Sequence, residues 1–390
     1  MRAMRLPAAT AAASALLLLA ACGGGGSGSG GSGGSGASGG GSGGSGGSGK
    51  TFRIDFANYT ESAPLFHVIH TNLDKVLAKG DSGLKVKWYD NGGDPAKMTQ
   101  NVQLMVQDQP DAIVVYPVSA TTQGISQILG DSKIPCVSVN LDTQACKFLN
   151  IDNRALGEQT AQIIGKIAAG RGWNASNTTV LIGQNAAAGE QVNDCVRYFY
   201  TTIAPMLGMP SVDAKTITPT TTKIGANGIQ FDGGSQLQPS FQAVKNLLPS
   251  VPANHHIILY TVNNDSTKGA LRAIEDAGRG GNDNLLIGGL AGDEVGITAL
   301  RKDPRWVAEG DIFVSWWGAY AAAMAKAVAQ GEKPPARVTP LPQIVLDKKT
   351  VEQYHKPGSA EVSKLPPLVP DNQFLDKSGV LQFVRQMEGL

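Results

Sequence analysis

The chain has 390 residues and carries 33 basic against 32 acidic side chains, a net charge of +1. A balance that even, with no basic block, argues against nucleic acid as a partner. Hydrophobic residues make up 42% of the chain. Its length exceeds one ordinary core and points to two domains of about 150 residues.

The chain opens on Arg2 and Arg5, followed by a mostly apolar stretch from Ala8 to Ala20 that contains Leu16 to Leu19. That stretch is too short for a membrane span and a polar linker follows at once, so residues 1–21 read as a secretory signal peptide. The run Leu19-Ala20-Ala21-Cys22 resembles the lipobox of bacterial lipoproteins, which implies cleavage before Cys22 and a lipid on its thiol. Gly23 to Gly49 contains only Gly, Ser and one Ala. Such a tract cannot bury apolar surface, so residues 22–49 read as a lipidated cysteine and a flexible tether, with a reach of roughly 25–32 Å. No later apolar run approaches the ~20 residues needed to cross a bilayer.

Beyond the tether the apolar period alternates. Phe52 to Ala57 reads as a strand, and Phe66, Ile69, Leu73 and Val76 then recur at helical spacing until Gly80. Leu84 to Tyr89 is strand-like, and Met98, Val102, Met105 and Val106 mark a helix. Ala112 to Tyr116 is a buried strand halted by Pro117. Ile125, Ile128 and Leu129 mark a helix, and Pro135 to Val139 a strand. A β-α-β-α-β order implies a parallel sheet covered by helices on both faces. The rhythm restarts after Asp152. A helix runs from Ala155 to Ala169, a strand over Thr179–Ile182, and helices over Val192–Met206 and Phe241–Leu248. His256–Tyr260 is a strand, Asp265 or Ser266 caps the next helix, Leu285–Ile287 and Ile312–Val314 are strands, and an alanine-rich helix covers Ala319–Gln330. Lys356 to Leu390 reads as a tail laid over the surface.

Six segments, in order, resemble the type I solute-binding proteins of bacterial ABC sugar importers, the ribose-binding group in particular. They are Asn91–Lys97 leading into a helix, Pro110–Val118, Ile134–Asn140, Ile151–Gly157, Asn263–Ile274, and Gly288-Gly289-Leu290 in place of a Gly-Phe-Asp turn. The resemblance covers roughly residues 52–350. It implies an α/β fold of two Rossmann-like lobes, each with a parallel sheet flanked by helices. A three-strand hinge joins the lobes, and a ligand cleft lies between them. The expected lobes are 50–151 with about 315–345, and 152–314 with about 346–390. It also implies a monomer without cofactor or catalytic residues. Departures from the pattern count against ribose itself. Asn140-Leu141 replaces an Asp-Arg pair, the aspartate of the Gly-Phe-Asp turn falls near Ala291 with Asp293 its close substitute, and an expected arginine falls near Val192.

Parallel sheets bind ligands beyond the carboxyl ends of their strands. Candidate ligand residues are therefore Asn58, Tyr59, Glu61 and Phe66 after the first strand, Tyr116 and Asn140 at later exits, and Gln184, Asn185, Asn263, Asp265 and Asp293 in the second half. Asn58, Tyr59 and Glu61 also fit a polar turn, Phe66 a core position, and Asp265 or Asp293 a helix cap. Trp316 and Trp317 cannot both face one way on a strand, so one of them is a candidate platform and the other packs; Trp316 is taken as the candidate, and the sequence leaves open which of the two faces the cleft. His67, His70, His255 and His256 lack the accompanying ligand set of a metal site, and none is expected. Export allows disulfides. Cys136 lies in an apolar strand and reads as a buried thiol, Cys146 in a polar loop and Cys195 near a helix start. Cys146–Cys195 is the expected bridge, against three free thiols.

Three function classes compete. The first is capture of a sugar or polyol for an ABC permease by a lipid-anchored, extracytoplasmic protein. The second is a ligand-binding sensor that signals to a membrane receptor. The third, an enzyme, is disfavoured. The first strand exits into Asn58-Tyr59-Thr60-Glu61 with no glycine-rich phosphate loop, and no nucleophile elbow appears.

Overall fold

The computed structural model describes residues 50–79 and 82–382. The leader, Cys22, the Gly/Ser tract, Gly80 and the last residues to Leu390 lie outside the described residues. In chain order the first group of elements is β1 (Phe52–Asn58), α1 (Pro64–Ala78), β2 (Leu84–Asp90), α2 (Pro95–Asp108), β3 (Ala112–Val115), α3 (Thr122–Ser132), β4 (Cys136–Val139) and β5 (Lys147–Asn150). The second is α4 (Asn153–Gly170), β6 (Thr178–Gln184), α5 (Glu190–Met206), β7 (Lys223–Ile224), β8 (Gly228–Asp232), α6 (Leu237–Leu247), β9 (His256–Thr261), α7 (Asn264–Asp276), β10 (Leu285–Ala291), α8 (Glu294–Lys302) and β11 (Trp306–Asp311). The chain then runs through α9 (Trp317–Ala329), β12 (Val338–Pro340), β13 (Ile344–Leu346) and α10 (Val351–Tyr354).

The strands form two sheets, a six-stranded one ordered β12-β5-β4-β3-β1-β2 and a seven-stranded one ordered β13-β11-β10-β9-β6-β8-β7. All pairings in the first are parallel. In the second only β13 on β11 and the β7–β8 ribbon are antiparallel. Central strands such as β3 and β6 are buried along their whole length, as parallel strands covered on both faces must be.

Local chemistry sets the helices. Asp94 caps α2 by accepting from the Lys97 amide at 2.8 Å, with Pro95 in the first turn. Asp152 caps α4 by accepting from the Ala155 amide at 2.9 Å. Helix α4 packs on α5 at backbone contact. A Cβ on Gly157 would lie 2.1 Å from the Cys195 carbonyl oxygen, so only glycine fits. Helix α9 is apolar all round and buried nearly throughout, packed against α1, β1, β3 and β4.

Three segments cross between the sheets. They are Ile151-Asp152 after β5, Ile312 to Trp316 after β11, and Leu341 to Gln343 after β12. The first and third are tied together. The Gln343 side-chain oxygen accepts from the Asp152 amide at 2.5 Å, and its nitrogen donates to the Asp152 carbonyl at 3.2 Å. The second carries Phe313 in a left-handed conformation, φ 47° and ψ 44°, which a bulky buried residue adopts only under constraint. Its amide donates to Asp311 at 2.8 Å. Asp311 in turn lies 2.7 Å from His355 Nε2, both side chains fully buried. His355 Nδ1 stands 2.9 Å from the Ala360 carbonyl, which can only accept, so that nitrogen carries a hydrogen.

Several expectations are corrected. The strand expected at Ile312–Val314 ends earlier, as β11, and residues 312–316 are a crossover. Strands β5, β7, β8, β12 and β13 are too short or polar to show a period, and α8, nine residues long, is a further element not expected from the sequence. The bridge is Cys136–Cys146, not Cys146–Cys195. The reason is register: β4 and β5 are adjacent, with Val137 opposite Lys147, so residues 136 and 146 are neighbours across the pair. Cys195 is a buried free thiol on α5 beneath the other sheet, pushed up to about 12 by burial. The tail does not simply lie over the surface. From α10 it returns to the first sheet's layer, where a 3-10 turn over Gln373–Ser378 packs on α9 and Leu375, Val380 and Leu381 are buried.

Candidate functional site

The carboxyl ends of both sheets place the candidates in two groups. In the first lobe an aromatic series runs from the exit of β1 to the second crossover. The rings of Tyr59 and Phe66 lie 4.7 Å apart, Phe66 meets Tyr116 edge-on at 5.3 Å, and Tyr116 stacks on Trp317 at 6.2 Å. Tyr59 and Phe66 are half-buried, Tyr116 nearly fully. Burial pushes the Tyr116 hydroxyl upward, and it has no hydrogen-bond partner among the described residues.

Beside this series the backbone turns at Asn140, which follows β4 with φ 69°. Its amide nitrogen donates to the Leu149 carbonyl at 3.0 Å. Its side chain makes no hydrogen bond among the described residues and is half-buried. The Cys136–Cys146 bridge closes this loop, and an Arg337–Asp142 ion pair holds its outer side. Asn58 is different. Its side chain donates to Glu61 Oε1 and to the Phe66 carbonyl, both at 2.8 Å, and accepts from the Tyr59 amide at 2.9 Å. It is fully buried and spends itself on the loop that carries Tyr59 and Phe66. Glu61 Oε2 faces His67 Nδ1 at 3.1 Å and His70 Nδ1 at 3.2 Å, at a half-exposed edge.

In the second lobe Ser235, a residue the sequence did not flag, gathers two candidates. Asn185 donates to its hydroxyl at 2.8 Å and Asn263 to its carbonyl at 3.0 Å. The exits of β6, β8 and β9 are thereby joined into one polar rim. Ser235 holds φ 58°, and neither its neighbours nor its type signals that role in sequence. Asn263 also caps α7, accepting from the Ser266 amide at 3.0 Å, so the cap is neither Asp265 nor Ser266. Asp265 is exposed and makes no side-chain bond among the described residues. Desolvation by neighbouring protein, and then the charge of Asp293, push its carboxyl upward. Gln184 is buried and donates to the Pro219 carbonyl at 2.6 Å. Asp293 caps α8, accepting from Gly296 at 2.9 Å and from Asn264 at 2.8 Å.

The tandem tryptophans are not on a strand. Trp316 ends a 3-10 turn and Trp317 opens α9, and both are buried. Trp317 Nε1 donates to the Ile312 carbonyl at 2.7 Å, whereas Trp316 Nε1 is buried without a partner. Among the described residues, the uncommitted polar groups near the strand ends thus include Asn140, the Tyr116 hydroxyl, Trp316 Nε1 and Asp265. Donors, acceptors and aromatic faces in this pattern suit a ring with hydroxyls. A groove of about 460 Å³ on the second lobe runs between α7 and α8 over Trp306, and none of the candidates lines it. It lies on a helical flank, and the strand ends carry the stronger case. No cluster of His, Cys, Asp and Glu among the described residues has metal-binding form.

Two α/β lobes with crossovers between them, and with polar and aromatic side chains at their strand ends, define a two-lobed binding protein. A family model described as a periplasmic binding protein domain matches residues 54–333, and the chain belongs to that family. No curated protein matches it in sequence. Among solved structures it is similar to a Mycobacterium smegmatis protein in complex with β-D-fucofuranose, at 19% identity and TM-score 0.61 over 77% of this chain and 93% of that one. It is also similar to the periplasmic binding component of the arabinose ABC transporter from Shewanella sp. ANA-3, bound to L-arabinofuranose (16%, TM-score 0.62, 77% and 93%). A third is an ABC transporter solute-binding protein from Bacillus halodurans C-125 with myo-inositol (15%, TM-score 0.63, 79% and 98%). At these identities the likeness establishes the fold. No helix among the described residues is long and apolar enough to cross a membrane.

Proposed function

We propose that the chain is an extracytoplasmic lipoprotein that captures a small sugar or polyol and delivers it to an ABC import permease. The observation that carries this reading is the pairing of an aromatic series on one lobe with a polar rim on the other, both at strand ends. Aromatic faces suit the apolar face of a ring and amides its hydroxyls. The neighbours bound to fucofuranose, arabinofuranose and myo-inositol support the ligand class. Binding requires no bond to be made or broken, and the site is read as non-catalytic. Cys22 would carry the lipid and the Gly/Ser tract would let the body move about its anchor. The reading leaves Asn58 and Gln184 as supports of the site, and gives ligand contact to Asn140, Tyr59, Phe66, Tyr116, Trp316 and Asp265.

A thermal-shift panel of myo-inositol, L-arabinose, D-allose, D-ribose and glycerol tests it. A ligand that binds only the folded state at 100 times its Kd adds about 2.7 kcal/mol. At least one sugar or cyclitol should raise the melting temperature, with calorimetric confirmation. A panel without any shift at millimolar concentration, extended across common pentoses and hexoses, would refute the ligand class.

A further inference from the structure

We propose that Ser119 and Gly189 are the closing contact of the cleft, the small pair through which the two lobes touch when its mouth is shut. Ser119 opens the 3-10 turn after the exit of β3, in the first lobe. Gly189 precedes α5 after the exit of β6, in the second. The crossovers gather at the β12-β5 edge of one sheet and the β13-β11 edge of the other. Strand β3 is fourth from the first edge and β6 fifth from the second, so the two residues meet on the side away from the hinge. A Cβ added to Gly189 would lie 2.8 Å from Ser119 Oγ, closer than real Cβ contacts come, and 4.0 Å from Ser119 Cβ, so the lobes approach here more closely than a side chain at 189 would allow. Contact so far from the hinge marks a closed arrangement. Gly189 has φ 90° and ψ 174°, a region that is essentially glycine's alone. With no side chain on one partner and one hydroxymethyl on the other, the mouth shuts fully. A large side chain at 119 would wedge it open.

The inference rests on the two-lobed binding reading, but its test needs no solute. A Cβ–Cβ separation of 4.0 Å falls in the range that a disulfide spans, about 3.5–4.5 Å. The variant Ser119→Cys/Gly189→Cys, in the full chain, should therefore form a 119–189 disulfide under copper-phenanthroline, identified by the linked peptide. Cys195 is buried and Cys136–Cys146 already bonded, so neither competes. The oxidised form should show a smaller radius of gyration than the reduced form. A folded variant that does not link would overturn the proposal. Should cysteine at 189 prevent folding, Ser119→Cys/Glu190→Cys leaves the glycine in place. There a short bifunctional methanethiosulfonate should link 119 to 190, and failure to link would count equally against the contact. If no solute binds but the link forms, the ligand class fails and the contact stands. If a solute binds and the link does not form, the reverse holds.

Discussion

Asn140 and Asn263 occupy similar places in sequence, each polar and each at the exit of an apolar strand, yet their partners separate them. Asn263 holds both the α7 amide of Ser266 and the Ser235 carbonyl. Among the described residues Asn140 bonds to neither backbone nor side chain through its side-chain amide. Asn140→Gly, which tolerates the φ of 69° at this position, should weaken ligand binding by the cost of leaving a hydroxyl unpaired, about 1–3 kcal/mol or roughly 5- to 150-fold. Its melting temperature should stay that of the wild type. Asn263→Ala should lose a helix cap as well, about 1 kcal/mol, and melt earlier. Calorimetry and melting curves on both variants check the split, and an Asn140 variant that binds within twofold of wild type would remove it from the site. Position at a strand exit was readable from the sequence, because an apolar run ending in a polar residue marks it. Commitment to neighbours was not, since Ser235 lies far from both residues it serves. The disulfide failed for the same reason: pairing follows strand register, and β5 is too short to announce itself.

At the scale of the element, β11 shows how chemistry can hide a strand. Trp-Val-Ala-Glu-Gly-Asp places two carboxylates in a buried strand, so it shows neither the alternation that identified β1 nor the apolar run that identified β3. Burial pushes Glu309 up to about 8, against donors from Asn264 at 2.7 Å, Gly292 at 2.9 Å and Trp306 at 3.0 Å. The ordinary value is 4.5. Between the two values the folded chain keeps a proton that the unfolded chain has lost. Stability therefore falls as pH rises through that window and levels off above it. Carboxylates held low, such as Asp303 and Asp347, act in the opposite sense and at lower pH. Stability, read from melting temperature, should decline from about pH 5.5 to 8 in the wild type, by an amount of order a few kcal/mol, and decline less in Glu309→Gln. Equal slopes in the two proteins would show that Glu309 is ionised throughout. The long elements, by contrast, were legible. Helices α1 and α2 and strand β1 carry clear periods, α9 and strands β3, β6 and β9 clear apolar runs, and their order alone implied parallel sheets.

For the whole molecule the tail changes the mechanics. Three crossovers were expected, but the chain passes between lobes a fourth time, from α10 to the α9 side of the first lobe. One end of that strap is fixed by His355 against Asp311, the other by Leu375, Val380 and Leu381. Each buried apolar side chain contributes about 1.5–3 kcal/mol. Ending the chain before Leu365 should lower the melting temperature and enlarge the ligand-free radius of gyration, both read against the full chain. A truncated protein with the wild-type radius would mean that the crossovers alone limit opening. At the other end of the chain, Cys22→Ser should move the protein from the membrane fraction to the soluble one, and an unchanged distribution would dismiss the lipid anchor.

The stacking of Tyr116 on Trp317, next to the unpartnered indole of Trp316, has an optical consequence. Of the five tryptophans, the other three sit elsewhere, Trp88 against His70, Trp173 against His256 and Trp306 bonded to Glu309. Emission that changes with solute should then come from the crossover pair. Trp316→Phe should abolish much of that change, so the protein carries a fluorophore at its own hinge and can report occupancy without a label.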